Sequence, residues 1–347
     1  MEKEKPLISI IILNYNAGDL IFNCINSVFQ TKYENYEVIL VDNISTDGSH
    51  KKCKENFDKI QLIENSKNFG YCEGNNIGIR KAKGDFIMIL NPDTIVEPNC
   101  IRELIFAHEK LGEGLYQPKI LSLNEKQVLQ STGNMIHVFG FGFAKDKGRK
   151  DEEVGEEIEK IGYASGTCLF TSKSVLEKVG LLDSFLFLYH DDLDLGWRAS
   201  QIGINSYYVP KSKIYHVESY SLKWSAKKFY WLERNRKYCL LTHYSKDTYA
   251  KIHSSLCLVD FFVWFFYISK GFLGAKIKAE LDIRKNREFI ETKYQELEKK
   301  KIIPDEKLIQ KFPDEIFVPT NVSDGFMNKS FNSILSKLSK KVKKKII

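Results

Sequence analysis

Several signatures are missing from this chain, and each absence closes a class of function. The first apolar run ends in Asn14-Tyr15-Asn16 without a Gly-x-Gly-x-x-Gly turn, and no Gly-x-x-x-x-Gly-Lys-Ser/Thr occurs anywhere, so dinucleotide-binding and P-loop readings fail. The seven cysteines (24, 53, 72, 100, 168, 239 and 257) include no Cys-x-x-Cys pair and are odd in number. That pattern argues against a zinc site and against a secreted disulfide framework, and fits a reducing cytoplasm. The opening Met1-Glu2-Lys3-Glu4-Lys5 is charged and leads straight into an apolar run, which reads as no signal peptide. Leu256 to Ile268 is strongly apolar, yet Asp260 interrupts it and it falls short of the ~20 residues that a membrane span needs.

What is present points to an enzyme-sized α/β protein. With 347 residues, 43% of them hydrophobic, the chain can bury a sizeable core and carry an appendage. The net charge of +7 is concentrated late, between Lys337 and Lys345, so it describes a tail more than a surface, and no nucleic-acid partner is expected. Leu7 to Leu13, Val38 to Val41, Ile60 to Ile63 and Phe86 to Leu90 are apolar runs of strand length. Helical stretches, Gly18 to Phe29 and Ser49 to Phe57, separate the first three. Strands alternating with helices imply right-handed βαβ units and a mostly parallel sheet with flanking helices.

In such a sheet ligands meet the carboxyl ends of the strands, so the residues just past each run matter most. Asp42 ends the second run and can accept hydrogen bonds from a base imide or a ribose hydroxyl; an aspartate that caps its own loop is the equal alternative. The stretch from Asn68 through Gly70 to Asn76 and Gly78 is rich in glycine and amides, which suits close approach to phosphate or sugar hydroxyls. Pro92 stops the fourth run, leaving Asn91 and Asp93 at its tip as a cradle for Mg²⁺ or Mn²⁺ on a diphosphate, or as a plain turn.

The order Ile10-Ile11-Ile12-Leu13-Asn14-Tyr15-Asn16, Val41-Asp42-Asn43-Ile44-Ser45-Thr46-Asp47-Gly48, Asn68-Phe69-Gly70 with Gly74-Asn75-Asn76, then Asn91-Pro92-Asp93, resembles the family 2 inverting glycosyltransferases of the GT-A fold. Within that family it is most similar to the rhamnosyltransferase-like branch, where Asn-Pro-Asp stands for the usual Asp-x-Asp. The resemblance runs over roughly residues 6 to 240. It implies a Rossmann-like GT-A domain over 1–224, with a donor half to about 115 and an acceptor half from about 116, and a helical C-terminal extension over 225–347. It also implies a donor such as a UDP- or dTDP-sugar, contacted by Asn14, Asn16, Asp42, Asn68, Gly70, Asn76 and Asn91, with Asp93 holding the metal.

Farther along, Phe187-Leu188-Tyr189-His190-Asp191-Asp192 places two adjacent acids at the start of a predicted helix. Taken alone they are favourable charges for a helix N-terminus. The resemblance gives them a second meaning, with Asp192 as general base and Asp191 orienting the acceptor. His216, on a short strand after that helix, resembles the family's third metal ligand, and neutral imidazole suits Mn²⁺ beside oxygen ligands. Lys145 to Lys160 reads as a loop. The aromatic Leu256 to Ile268 reads either as a helix in a membrane interface or as a buried core helix; with the Lys-rich end beside it the membrane reading is favoured, placing the protein on the cytoplasmic face with a lipid-linked glycan as acceptor. Helices after 225 also offer a route to a homo-oligomer. A catalytically silent nucleotide-sugar or glycan-binding scaffold is the competing class, motivated by Asn91 in place of an acid.

Overall fold

The apolar runs become strands because both of their faces find cover. In the computed structural model, which describes residues 5–217, 225–316 and 325–346, every residue of β1 (Ile8–Asn14) is buried, as is every residue of β4 (Phe86–Leu90). The first half runs β1, α1 (Asp19–Phe29), β2 (Tyr36–Asp42), α2 (Ser49–Asn56), β3 (Ile60–Glu64), α3 (Gly70–Lys81), β4, β5 (Thr94–Val96), α4 (Cys100–Leu111) and β6 (Gly114–Ser122). The chain continues through β7 (Leu129–Ser131), β8 (Asn134–Ile136), β9 (Gly142–Ala144), β10 (Glu159–Ile161), β11 (Cys168–Ser172), α5 (Lys173–Val179), α6 (Asp191–Gln201) and β12 (Asn205–His216). It closes with α7 (Ala226–His243), α8 (Lys246–Ser269), α9 (Leu273–Lys285), α10 (Arg287–Lys300), α11 (Asp305–Ile309) and α12 (Gly325–Ile346).

One sheet carries the site. Its order is β10-β12-β6-β11-β4-β1-β2-β3, with β5 paired to β12 and β7 to β6. β1, β2, β3 and β4 pair in parallel, β11 runs antiparallel to both β4 and β6, and β12 is parallel to β6. The ends of β1, β2, β4 and β12 therefore point the same way. Asn14, Asp42, Asn91 with Asp93, and His216 all lie at that one edge. This is a GT-A-like α/β domain with helices at its C-terminal end.

Two compact units divide the chain: 1–134 with 144–196 and 204–220, and 135–143 with 197–203 and 221–347. The boundary expected at Trp224 lies outside the described residues. The helical unit thus also takes in two excursions from the middle of the sequence. Tyr244 Oη donates to the Val138 carbonyl (2.8 Å), and the Trp197 ring stacks on His243 at 4.8 Å. A buried ionic core ties its helices together, since Arg236 Nε donates to Glu233 Oε2 (2.9 Å) and Lys276 also reaches Glu233.

Three details depart from the sequence reading. The short strand expected to carry His216 is the end of β12, a strand of 12 residues whose register against β6 shifts between Val209 and Lys213. The expected loop from Lys145 to Lys160 is anchored by Asp151, which pairs with Lys119 and with Lys213 (3.1 Å). The apolar run at Leu256 belongs to a helix of 24 residues, long and apolar enough to cross a membrane by length and composition. Ile252, Leu256, Val259, Val263 and Tyr267 form its buried face.

Candidate active site

At the tips of β1 and β2, register places Asn14 directly beside Asp42. Asn14 Nδ2 is shared among Asp42 Oδ1 (2.8 Å), Ser45 Oγ (3.0 Å) and Ser49 Oγ (2.9 Å), and its side chain is fully buried. Asn14 is therefore spent on the scaffold, and what it holds is Asp42. The other Asp42 oxygen accepts from the Ser45 amide (2.8 Å). Asn16, in a left-handed conformation, receives the Thr46 amide on Oδ1 (2.7 Å) and so pins the same turn from the other side. Ile44 is β-branched yet has φ 61°, a strained conformation, and its exposed side chain and that of Tyr15 both sit at this edge.

The Asn68-Phe69-Gly70 segment enters α3. Asn68 Oδ1 accepts from the Gly70 amide (2.8 Å), and Asn43 Nδ2 donates to the Gly70 carbonyl (2.9 Å). Gly70 has φ 78°, and a Cβ there would stand 2.5 Å from the Phe187 ring, so this contact admits only glycine. Asn76, expected to face the donor, is buried and bonded to both Leu182 backbone groups, its Nδ2 to the carbonyl (2.8 Å) and its Oδ1 from the amide (3.1 Å). Its amide braces the chain that leads to Asp191.

Asp93 and His216 come together. His216 Nε2 stands 3.4 Å from Asp93 Oδ1, and the Val217 amide donates to the Asp93 carbonyl (3.0 Å). Asp93 Oδ1 is buried and accepts no hydrogen bond among the described residues. A buried carboxylate oxygen left in that state costs free energy unless something cationic or donating meets it. One oxygen and one imidazole nitrogen facing each other form a donor set suited to Mn²⁺ better than to the oxygen-seeking Mg²⁺, so these residues fit a divalent cation. Asn91 is held beside them by its backbone, its amide donating to the Thr167 carbonyl (3.0 Å).

The acids at α6 follow a contorted approach. Phe187, Tyr189 and His190 all have positive φ, at 63°, 68° and 62°. Asp192 Oδ2 accepts from the Gly166 amide (3.1 Å) and Oδ1 from the Leu193 amide (2.8 Å). Burial pushes both carboxyls upward. For Asp192 the Gly166 and Leu193 amides oppose the shift, whereas for Asp191 the charge of Asp192 adds to it and raises it well above the usual carboxylate range. Of the two, Asp192 is thus the easier to keep ionised. The turn Ser165-Gly166-Thr167 joins the parts of the site, receiving Asn91 at Thr167, binding Asp192 at Gly166, and accepting Tyr71 Oη at the Gly166 carbonyl (2.5 Å).

Residues 9–180 match the family model described as Glycosyl transferase family 2. This is a family 2 glycosyltransferase domain. The domain is 29% identical over 207 residues to the low-salt glycan biosynthesis hexosyltransferase Agl10 of Haloferax volcanii, covering 57% of this chain and 63% of that protein. It is 24% identical over 237 residues to the N-acetylglucosaminyl-diphospho-decaprenol L-rhamnosyltransferase of Mycobacterium tuberculosis, covering 62% of this chain and 77% of that one. Among solved structures, GalNAc-T7 with UDP, GalNAc and Mn²⁺ superposes with a TM-score of 0.59 at 16% identity, covering 74% of this chain and 52% of that one. The mannosyltransferase PcManGT from Pyrobaculum calidifontis, with GDP-Man and Mn²⁺, gives 0.51 at 13% identity, covering 98% and 88%. At these identities the structural likeness speaks for the fold.

Parts of this candidate site escape the sequence motifs. Ser45 and Ser49 are visible as turn residues, but their service to Asn14 depends on strand register. Gly166 lies in a small-residue stretch, and only the fold brings its amide to Asp192. Gln130, which contacts His216, has no sequence signal at all.

Proposed function

We propose that this protein is an inverting, metal-dependent glycosyltransferase that moves a sugar from a nucleoside-diphosphate sugar, UDP- or dTDP-linked, to a hydroxyl of a lipid-linked glycan. The observation that carries the reading is the turn at 165–167, which ties Asn91, next to Asp93, to the carboxylate of Asp192. A donor-side acid and a base candidate are thereby fixed on one piece of backbone. Asp42, held by Asn14 and the Ser45 amide, offers its remaining acceptor capacity to base or ribose. Asn16, Asn68, Gly70 and Asn91 shape the loops that face the donor. Asp93 and His216 would hold a divalent cation, which when bound would offset charge on the leaving diphosphate.

Asp192 takes the proton from the acceptor hydroxyl as that oxygen bonds to the anomeric carbon. The bond from that carbon to the diphosphate oxygen breaks, and its electron pair leaves with the diphosphate. A single displacement of this kind inverts the configuration. Asp191, adjacent and more readily protonated, can donate to an acceptor oxygen and orient it.

In the helical unit, Leu258, Phe261, Phe265 and Ile268 of α8 are exposed, as are Leu273, Ile277 and Leu281 of α9. Trp264, Ile277 and Leu281 line one shallow cavity, so these surfaces of the two helices adjoin. Such an apolar face, bordered by Lys270, Lys278, Arg284 and Lys285, supports contact with an anionic membrane surface where a lipid-linked acceptor would lie.

The test is a panel of nucleoside-diphosphate sugars with purified protein, scored by released nucleoside diphosphate and by the anomeric configuration of the product. No turnover with any donor, or a product of retained configuration, would refute the reading. Contact with the membrane is checked separately with anionic vesicles, which should retain wild type more strongly than the Phe261→Ser, Phe265→Ser double variant.

A further inference from the structure

β7 pairs antiparallel with β6, with Ser131 opposite Ile120 and Leu129 opposite Leu121, so Gln130 is an extra residue in the ladder. A bulge of this kind turns a side chain away from the direction that alternation would give it. Gln130 is turned onto His216 and bonds it twice. Its Nε2 donates to the His216 carbonyl (2.9 Å), and its Oε1 lies 2.7 Å from His216 Nδ1.

The two contacts together fix more than position. A backbone carbonyl only accepts hydrogen bonds, so the Gln130 NH₂ must face it, and reversing the amide would set two acceptor oxygens against each other. The Gln130 oxygen therefore faces Nδ1. It too only accepts, so Nδ1 must carry the proton. In the neutral ring that leaves Nε2 with its lone pair, and Nε2 is the atom 3.4 Å from the buried Asp93 Oδ1. A lone pair and a carboxylate oxygen facing each other repel unless a cation lies between them.

We propose that Gln130 is a positioning residue that sets the tautomer of His216, holding the proton on Nδ1 so that the Nε2 lone pair is offered, with Asp93, to a divalent cation. This rests on the metal reading given above. Outer partners of a ligating histidine commonly alter metal affinity 10- to 100-fold when removed, because they fix ring orientation and ligand basicity.

The experiment measures two things on the full-length chain: the protonated nitrogen of His216, by ¹⁵N NMR with His216→Gln for assignment, and the affinity for Mn²⁺ alone, by electron paramagnetic resonance titration. Two variants separate tautomer control from mere bracing. Gln130→Met removes both bonds, whereas Gln130→Glu keeps an acceptor for Nδ1–H and loses the donor to the His216 carbonyl. We expect wild type to be protonated on Nδ1, Gln130→Met to gain the Nε2-protonated form and to bind Mn²⁺ about 10- to 100-fold more weakly, and Gln130→Glu to stay within about threefold of wild type. The proposal is overturned if wild-type His216 carries its proton on Nε2, if Gln130→Met leaves Mn²⁺ affinity unchanged, or if Gln130→Glu is as impaired as Gln130→Met. The NMR result on wild type stands even if a variant fails to fold. Wild type that is protonated on Nδ1 and binds no Mn²⁺ would overturn the metal reading itself while leaving the tautomer assignment intact.

Discussion

Asp191 and Asp192 are neighbours in sequence and differ in what surrounds them, which gives each its own test. The ionised Asp192 carboxylate is what the proposed transfer needs, and its carboxyl is raised by burial, so the rate should rise with pH along an acid limb placed above the ordinary carboxylate range. Asp192→Asn should lower kcat by about 10²-fold or more and leave nucleoside-diphosphate affinity within about twofold. Near-wild-type turnover in that variant, with Asp191→Asn inactive, would move the base by one residue. Asp191 has a stability signature of its own. A folded carboxyl raised well above its unfolded value is at no disadvantage below about pH 4, and the folded state loses stability as pH climbs through the raised value. Asp191→Asn should therefore melt higher than wild type at pH 8, with the gap closing toward pH 4 in thermal scans. On the donor side, Asp93→Ala should abolish the chelator sensitivity of nucleoside-diphosphate binding, and calorimetry with and without EDTA reads this directly.

At the scale of elements, the strand tips were legible because an apolar run followed by polar residues marks a buried strand and its end without reference to anything distant. Asp42 and Asp93 stand out that way as candidates, whereas the acids of α6 stand out only as charges at a helix start, to which the family resemblance gives a role. Which amides are bonded into the scaffold was not legible. Asn14 and Asn76 look like Asn16 and Asn68 in sequence, and turn inward because Ser45, Ser49 and the Leu182 backbone meet them from 31 to 106 residues away. Gln130 depends on a bulge, and a bulge belongs to the pairing of two strands. The length of α8 is not legible either, since Asp260 looks like an interruption of an apolar run. In the fold it is an anchor, bonded to Arg236 (2.5 Å) and paired with Lys237 (3.0 Å).

That anchor makes its own prediction. Burial pushes the Asp260 carboxyl up, but Arg236, Lys237 and Lys276 outweigh it and hold the group at about 2. A depressed folded value means stabilisation that is present above the ordinary carboxylate pKa near 4 and lost as pH falls through 2, on the order of 2 kcal/mol. Asp260→Asn should lower the melting temperature at pH 7 by several degrees, and the difference from wild type should shrink between pH 4 and pH 2. A constant difference over that range would show that the carboxylate is not what Arg236 and Lys237 stabilise.

For the whole molecule, the decisive fact is that the helical unit is not simply the end of the chain. Residues 135–143 and 197–203 belong to it, with Phe139 and Trp197 fully buried. Truncation after Tyr244 should therefore give insoluble protein, because it removes α8 and the buried face of Val259, Val263 and Tyr267, together with Phe312 at 5.5 Å from Trp197. A soluble, folded truncation product in size-exclusion chromatography and circular dichroism would contradict this. The same interleaving has a consequence for synthesis. Val138 leaves the ribosome 106 residues before Tyr244, which donates a hydrogen bond to its carbonyl. At 5–20 residues per second the nascent chain waits roughly 5 to 20 s with Phe139 uncovered, long enough for a chaperone to bind. Slowing translation between codons 139 and 244 should lower the soluble yield, whereas the same delay placed before codon 135 should not.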